Sequence, residues 1–128
     1  MEQLLHYVWK HKLFPLQHLH TSEGESIEVI DPGLPNPHAG ADFFNAKIKI
    51  QGVLWVGNVE IHQRASDWYR HRHHQDTAYD SVILHVASDI DTAVTRTNGE
   101  QIPQLELQCP PQLAENYEEL LQTDRYPA

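Results

Sequence analysis

Asp42, Glu60 and His62 are the residues whose types and spacing can do chemistry together. Two apolar, β-branched segments, Phe43 to Gln51 and Val53 to His62, meet at Gln51-Gly52, and the three residues lie at their far ends. A tight hairpin sets residues whose numbers sum to about 102 opposite one another, so Asp42 faces Glu60. His62, two residues beyond Glu60, points to the same face, which also takes Phe44, Ala46, Ile48, Leu54 and Val56. Two carboxylates at cross-strand distance repel, and a divalent cation between them is the simplest relief. Oxygen ligands from Asp42 and Glu60, completed by a backbone carbonyl and water, suit Mg²⁺ or Mn²⁺. His62 would orient the attacking water or take its proton, with Glu28 or Glu2 as a further carboxylate. The competing reading shifts the register by one residue, and Glu60 then faces solvent or pairs with Lys47 or Lys49.

Histidine is the compositional excess, with ten in 128 residues. Arg70, His71, Arg72, His73 and His74 follow the Glu60 strand. They read either as a phosphate-facing patch, with Arg70, Arg72 and His73 binding substrate, or as a solvated helix face. His85 sits in a Val/Ile/Leu strand and reads best as a hydrogen-bonded core histidine. A zinc site would need His18 and His20 to converge with His62 or His73, without support from HExxH or paired cysteines. There is no G-x-S-x-G, and Cys109 precedes two prolines, so nucleophilic catalysis has no candidate. Trp9, Trp55 and Trp68 read as core anchors rather than base-stacking platforms.

The elements that must position these groups follow from pattern. Met1 to Lys12 places Leu4, Leu5, Val8 and Trp9 on one helical face. Leu16 to Thr21 and Ser26 to Asp31 flank a turn-rich tetrad and predict a hairpin, after which Asp31-Pro32-Gly33 and Pro35-Asn36-Pro37 force a loop. Ala65 to Tyr79 predicts a polar helix with Ser66 as N-cap. Ser81 to Ala87 predicts a strand, and Thr92 to Thr97 with Gln101 to Leu107 a hairpin around Asn98-Gly99. Gln112 to Gln122 predicts a helix whose Leu113, Tyr117, Leu120 and Leu121 need a partner surface, either another protein or a missing C-terminal domain.

The length allows a single domain, residues 1-128, with a core over about 1-90 and the C-terminal hairpin and helix over about 91-128. The net charge of −9 repels phosphate backbones, so nucleic acid is not indicated by charge and needs a local basic groove or a metal. No apolar run approaches the roughly 20 residues of a membrane span, and a lone cysteine suits a reducing compartment, so the expected location is cytoplasmic.

Helix, strand, Asp42 on a second strand, Glu60-Ile61-His62 on a third, then a helix and a strand: this order resembles the αβββαβ core of the PD-(D/E)XK, or restriction-endonuclease-like, superfamily. The resemblance makes Asp42 the superfamily's lone Asp and Glu60 the acidic residue of its E-x-K motif, with His62 where that motif has Lys. A second likeness runs along almost the whole chain. Leu5-His6-Tyr7-Val8-Trp9-Lys10, Val29-Ile30-Asp31-Pro32-Gly33, Gly57-Asn58-Val59-Glu60-Ile61-His62 and Ala65-Ser66-Asp67-Trp68 resemble the N-terminal portion of an uncharacterised bacterial family of longer proteins, which implies a fragment or a short member. The expectation is an α+β fold, a central mixed sheet flanked by helices, carrying a Mg²⁺- or Mn²⁺-dependent phosphodiesterase that uses Asp42, Glu60 and His62. The alternative is a catalytically silent scaffold that binds protein.

Overall fold

A computed structural model of the chain describes residues 2–116 and Glu119. Helix α1, Glu2–Lys10, buries Leu4, Leu5, Val8 and Trp9, the face its apolar spacing dictates. Trp9 stacks on Phe14 and donates from Nε1 to the Pro32 carbonyl at 2.9 Å, which ties the helix to the loop that enters the sheet. Six strands follow: β1 (Ile27–Asp31), β2 (Leu34–Pro35), β3 (Phe43–Ile50), β4 (Val53–Arg64), β5 (Val82–Asp89) and β6 (Gln104–Glu106). Their order is β1-β3-β4-β5-β6, with β2 also paired to β3. The pairings of β3 with β1, β2 and β4 are antiparallel, and those of β5 with β4 and β6 are parallel. The fold is α+β with a mixed, curled sheet.

The β3–β4 hairpin turns at Gln51 (φ 52°) and Gly52 (φ 79°), the two positive φ values that match a tight turn to twisted strands. Its register runs Ile50↔Val53 through Ala46↔Gly57, slips across Asn45 (φ 60°), and resumes at Phe43↔Val59. That bulge changes the expected faces. Ala46 and Ile48 share a side with Phe43, Val59 and Ile61, packed with Leu5, Val8 and Trp9 of α1, and not with Asp42. The same bulge brings Asp42 beside Glu60: the turn's own register would set it opposite Ile61, and the slip that gives Phe43↔Val59 moves it by one residue to the expected partner. On that second face a smaller cluster of Ala41, Ala65, Trp68, Val82, Val94 and Ile102 closes over the sheet. Gly57 is obligatory, because a Cβ there would sit 2.5 Å from Ile83 Cγ2 and 2.8 Å from the Ser81 carbonyl.

Several predicted elements are replaced. The segment from Leu16 makes only a His20↔Ser26 bridge, because Thr21 Oγ1 gathers the Glu23 and Glu25 N–H groups into a local turn, and β1 pairs with β3 instead. The predicted Ala65 to Tyr79 helix is α2 (Asp67–Arg70) followed by two 3₁₀ turns, His73–Gln75 and Thr77–Tyr79. Arg72 takes left-handed backbone (φ 60°), and the Asp76 carboxylate accepts the Ala78 N–H, a local bond that competes with helix. Ser66 gives no side-chain cap; its N–H goes to Asp91 Oδ1. The predicted hairpin after Thr92 is a single Thr95↔Gln101 bridge, since Arg96 pins that segment to the Asp80 and Val82 carbonyls and β6 runs parallel to β5. Trp55 is half exposed with Val53, Leu54 and Val56 where the hairpin extends beyond β5, so only Trp9 and Trp68 are core anchors. Helix α3 covers Pro111–Glu115 and packs Leu113 on the core; Tyr117, Leu120 and Leu121 lie outside the described residues. No described helix is long and apolar enough to cross a membrane.

Candidate metal centre

Glu60 on β4, His85 on β5 and Gln104 on β6 are register partners, and Asp42 stands on the other side of Glu60. Strand pairing alone therefore lays four polar side chains in a row across the sheet, under the Trp68 cluster. His62 occupies the next same-face position along β4. All but Asp42 are nearly or wholly buried, which makes their mutual contacts decisive.

The Asp42 N–H donates to Glu60 Oε1 at 3.1 Å, and Asp42 Oδ2 accepts the Ile61 N–H at 2.8 Å, so the two residues clasp each other across the hairpin. Their carboxyl groups also hydrogen-bond. Burial, then the neighbouring Glu60 charge, push Asp42 well above the carboxylate range, against the Ile61 N–H. Burial would likewise raise Glu60, but His62 and His73 outweigh it and hold this carboxyl low. Of the two, Asp42 is therefore the harder to ionise.

The far oxygen of Glu60 meets the histidines. Glu60 Oε2 lies 3.2 Å from His62 Nε2 and 3.0 Å from His73 Nε2. The left-handed Arg72 is what turns His73 inward, where its ring stacks on Tyr79 at 3.7 Å and meets the edge of Trp68 at 5.2 Å. Despite burial, neither ring nitrogen of His73 makes a hydrogen bond; the contact with Glu60 is close but misdirected for one. His71 stands at the exposed rim, its ring 5.1 Å from that of His62. One ligand-capable nitrogen from each of His62, His71 and His73 lies within 4.8 Å of the others. Ligands around a tetrahedral zinc ion are separated by roughly 3.3–3.5 Å, given bond lengths of about 2.0–2.2 Å. Glu60 Oε2 lies slightly inside that spacing from each of the two buried nitrogens, and a buried imidazole without a directed hydrogen bond suits a metal ligand.

Asp42, Glu60 and His62 are brought together. His73 joins them as a buried neighbour of Glu60, not as part of a substrate patch. Arg70 is exposed and paired with Asp67 at 3.1 Å, and Arg72 is exposed, so the five cations share no helix face. His18 and His20 are bonded to each other in the entry loop, with His20 Nδ1 on the His18 carbonyl, and are not part of the three-histidine group. Glu28 pairs along β1 with Lys49, remote from the row, while Glu2 adds negative charge near Asp42. Gln104 and Tyr79 were not singled out by sequence, and His71 reads there as one of five cations in a phosphate-facing patch or a solvated helix face, not as a metal ligand. His85 is fully buried as expected, but it contacts the site: its Nε2 is 2.8 Å from His62 Nδ1. A donor set of imidazoles with one carboxylate suits zinc better than Mg²⁺.

A family model described as "Protein of unknown function (DUF2851)" matches residues 2–128. No curated protein and no solved structure matches the chain, and the nuclease likeness gains no support from these comparisons.

Proposed function

From the premise that the chain belongs to the DUF2851 family, we propose that it is a metal-dependent hydrolase of phosphodiesters, with a zinc-type ion held by His62, His71 and His73 and with Glu60 as the base. The observation that carries this reading is the convergence of His62 Nε2 and His73 Nε2 on one Glu60 oxygen in a buried site whose second imidazole has no hydrogen bond. Arg70 and Arg72 flank the exposed His71, which gives an anionic ester a cationic approach in a chain of net charge −9.

The ion would polarise the phosphate and lower the pKa of a bound water. Glu60, ionised and within reach of that position, takes the proton from the water. Asp42 holds Glu60 in place by its backbone N–H, which donates to Glu60 Oε1. His6 Nε2, 3.5 Å from Asp42 Oδ2 on a partly exposed ring, offers the proton a way out to solvent. Tyr79 and Trp68 clamp His73 and keep water from the rear of the site.

A second reading, a scaffold that binds protein, draws on the half-exposed Val53, Leu54, Trp55 and Val56 of the projecting hairpin. The two are separated by stripping the chain with a chelator, reloading it with Zn²⁺, Mn²⁺ or Mg²⁺, and assaying a bis-aryl phosphodiester and single- and double-stranded nucleic acid. Zinc-restored cleavage that Glu60→Gln abolishes is the expected result. Best activity with Mg²⁺ would return the ion to Asp42 and Glu60, and no cleavage with any metal would favour the scaffold.

A further inference from the structure

We infer that Gln104 and His85 are positioning residues that dictate which nitrogen of His62 carries hydrogen, so that only Nε2 is offered to an ion; this rests on His62 being a ligand, as proposed above. The Thr92 carbonyl can only accept a hydrogen bond. Gln104 lies against it with Nε2 at 2.8 Å, so its amide nitrogen faces Thr92 and its oxygen must point the other way. That oxygen, Gln104 Oε1, is 2.8 Å from His85 Nδ1, and a ring nitrogen at that distance from an acceptor carries the hydrogen. The opposite amide orientation would set two carbonyl oxygens against each other at Thr92.

His85 is fully buried, and its bonded partners are the Gln104 oxygen and the His62 ring. No carboxylate touches it to balance a charge; besides His62, the Trp68 ring meets it edge-on at 5.3 Å. A neutral ring with hydrogen on Nδ1 has a bare Nε2, and that atom lies 2.8 Å from His62 Nδ1. His62 must therefore donate from Nδ1, which leaves Nε2 as the nitrogen offered to an ion. The order of hydrogens is fixed from backbone to ligand: Thr92 carbonyl, Gln104, His85, His62. At the end of the chain, His62 Nε2 stands 3.2 Å from Glu60 Oε2, so it is the ring nitrogen that faces the proposed ion site. Both outer residues come from elements added after β4, and the parallel register His85↔Gln104 is what aligns them. Outer partners of this kind commonly change metal affinity by about 10- to 100-fold.

The test is ring-nitrogen NMR on the full chain labelled with ¹⁵N-histidine, before and after addition of zinc. The expected result is hydrogen on Nδ1 of both His62 and His85 in the metal-free protein, with zinc shifting the bare Nε2 of His62 and leaving its Nδ1–H in place. Gln104→Leu should release the constraint, giving mixed tautomers at His62 and His85 and roughly 10- to 100-fold weaker zinc binding. Wild-type His62 with hydrogen on Nε2, or zinc bound through its Nδ1, overturns the relay whatever the variant does. The expected tautomers without any zinc response uphold the relay and remove the metal reading, so the two fail separately.

Discussion

His73 brings its Nε2 to 3.0 Å from Glu60 Oε2, yet neither of its ring nitrogens is hydrogen-bonded although the side chain is buried. The Glu60 carboxylate is the charge that His73 faces, but no directed hydrogen bond joins them, so an ion between the two would give both atoms a partner. That arrangement makes sense for a ligand and poor sense for a packing residue.

Zinc should therefore stabilise the chain and His73→Ala should lose the effect. An ion at a hundredfold excess over its Kd contributes about 2.7 kcal/mol, roughly 10 °C in Tm at this length. Thermal denaturation of the metal-free protein with and without zinc measures it. An equal shift in wild type and variant would place the ion elsewhere.

Glu60→Gln separates base from ligand. With three histidines holding the ion, the variant should keep most of the zinc-induced rise in Tm while phosphodiester cleavage falls by about 100-fold or more. Loss of both together would make Glu60 a ligand.

Gly57→Ala should destabilise the fold by about 1–3 kcal/mol, because the added carbon overlaps Ile83 and the Ser81 carbonyl at the point where β5 joins β4. Urea unfolding gives the value. A neutral substitution would mean that β5 can slide on β4, and that the Glu60↔His85 register is softer than drawn.

Asp80 governs a surface contribution with a definite pH sign. Hydrogen bonds from Thr97 Oγ1 and N–H hold its carboxyl below the ordinary carboxylate value. The folded form thus binds the proton less readily than the unfolded form, so the contribution is present at neutral pH and disappears as pH falls through the folded-state value. Asp80→Asn should reduce the steepness of acid unfolding in that range. Identical acid limbs for the two proteins would show that Thr97 does not discriminate the charged form.

The hairpin was legible in the sequence, and with it the most specific part of the site. Gln51-Gly52 between two β-branched runs permits one tight turn, which makes Asp42 and Glu60 neighbours to within one residue, and the bulge at Asn45 completes the pairing. The apolar face of α1 was equally plain, because period and burial coincide there.

What tertiary structure decided was everything that reaches the site from elsewhere. The bulge at Asn45 moved Ala46 and Ile48 to the opposite face, since one extra residue reverses a period of two. The left-handed Arg72 ended a segment whose pattern read as helix and turned His73 inward onto Glu60, a choice settled by packing against Trp68 and Tyr79 rather than by local propensity. His85 and Gln104 entered the row through parallel pairings between strands far apart in sequence, and no turn between them records that register. A sequence fixes contacts that short-range geometry can close. The histidine cluster is closed by long-range pairing, so its residue types were visible while their meeting point was not.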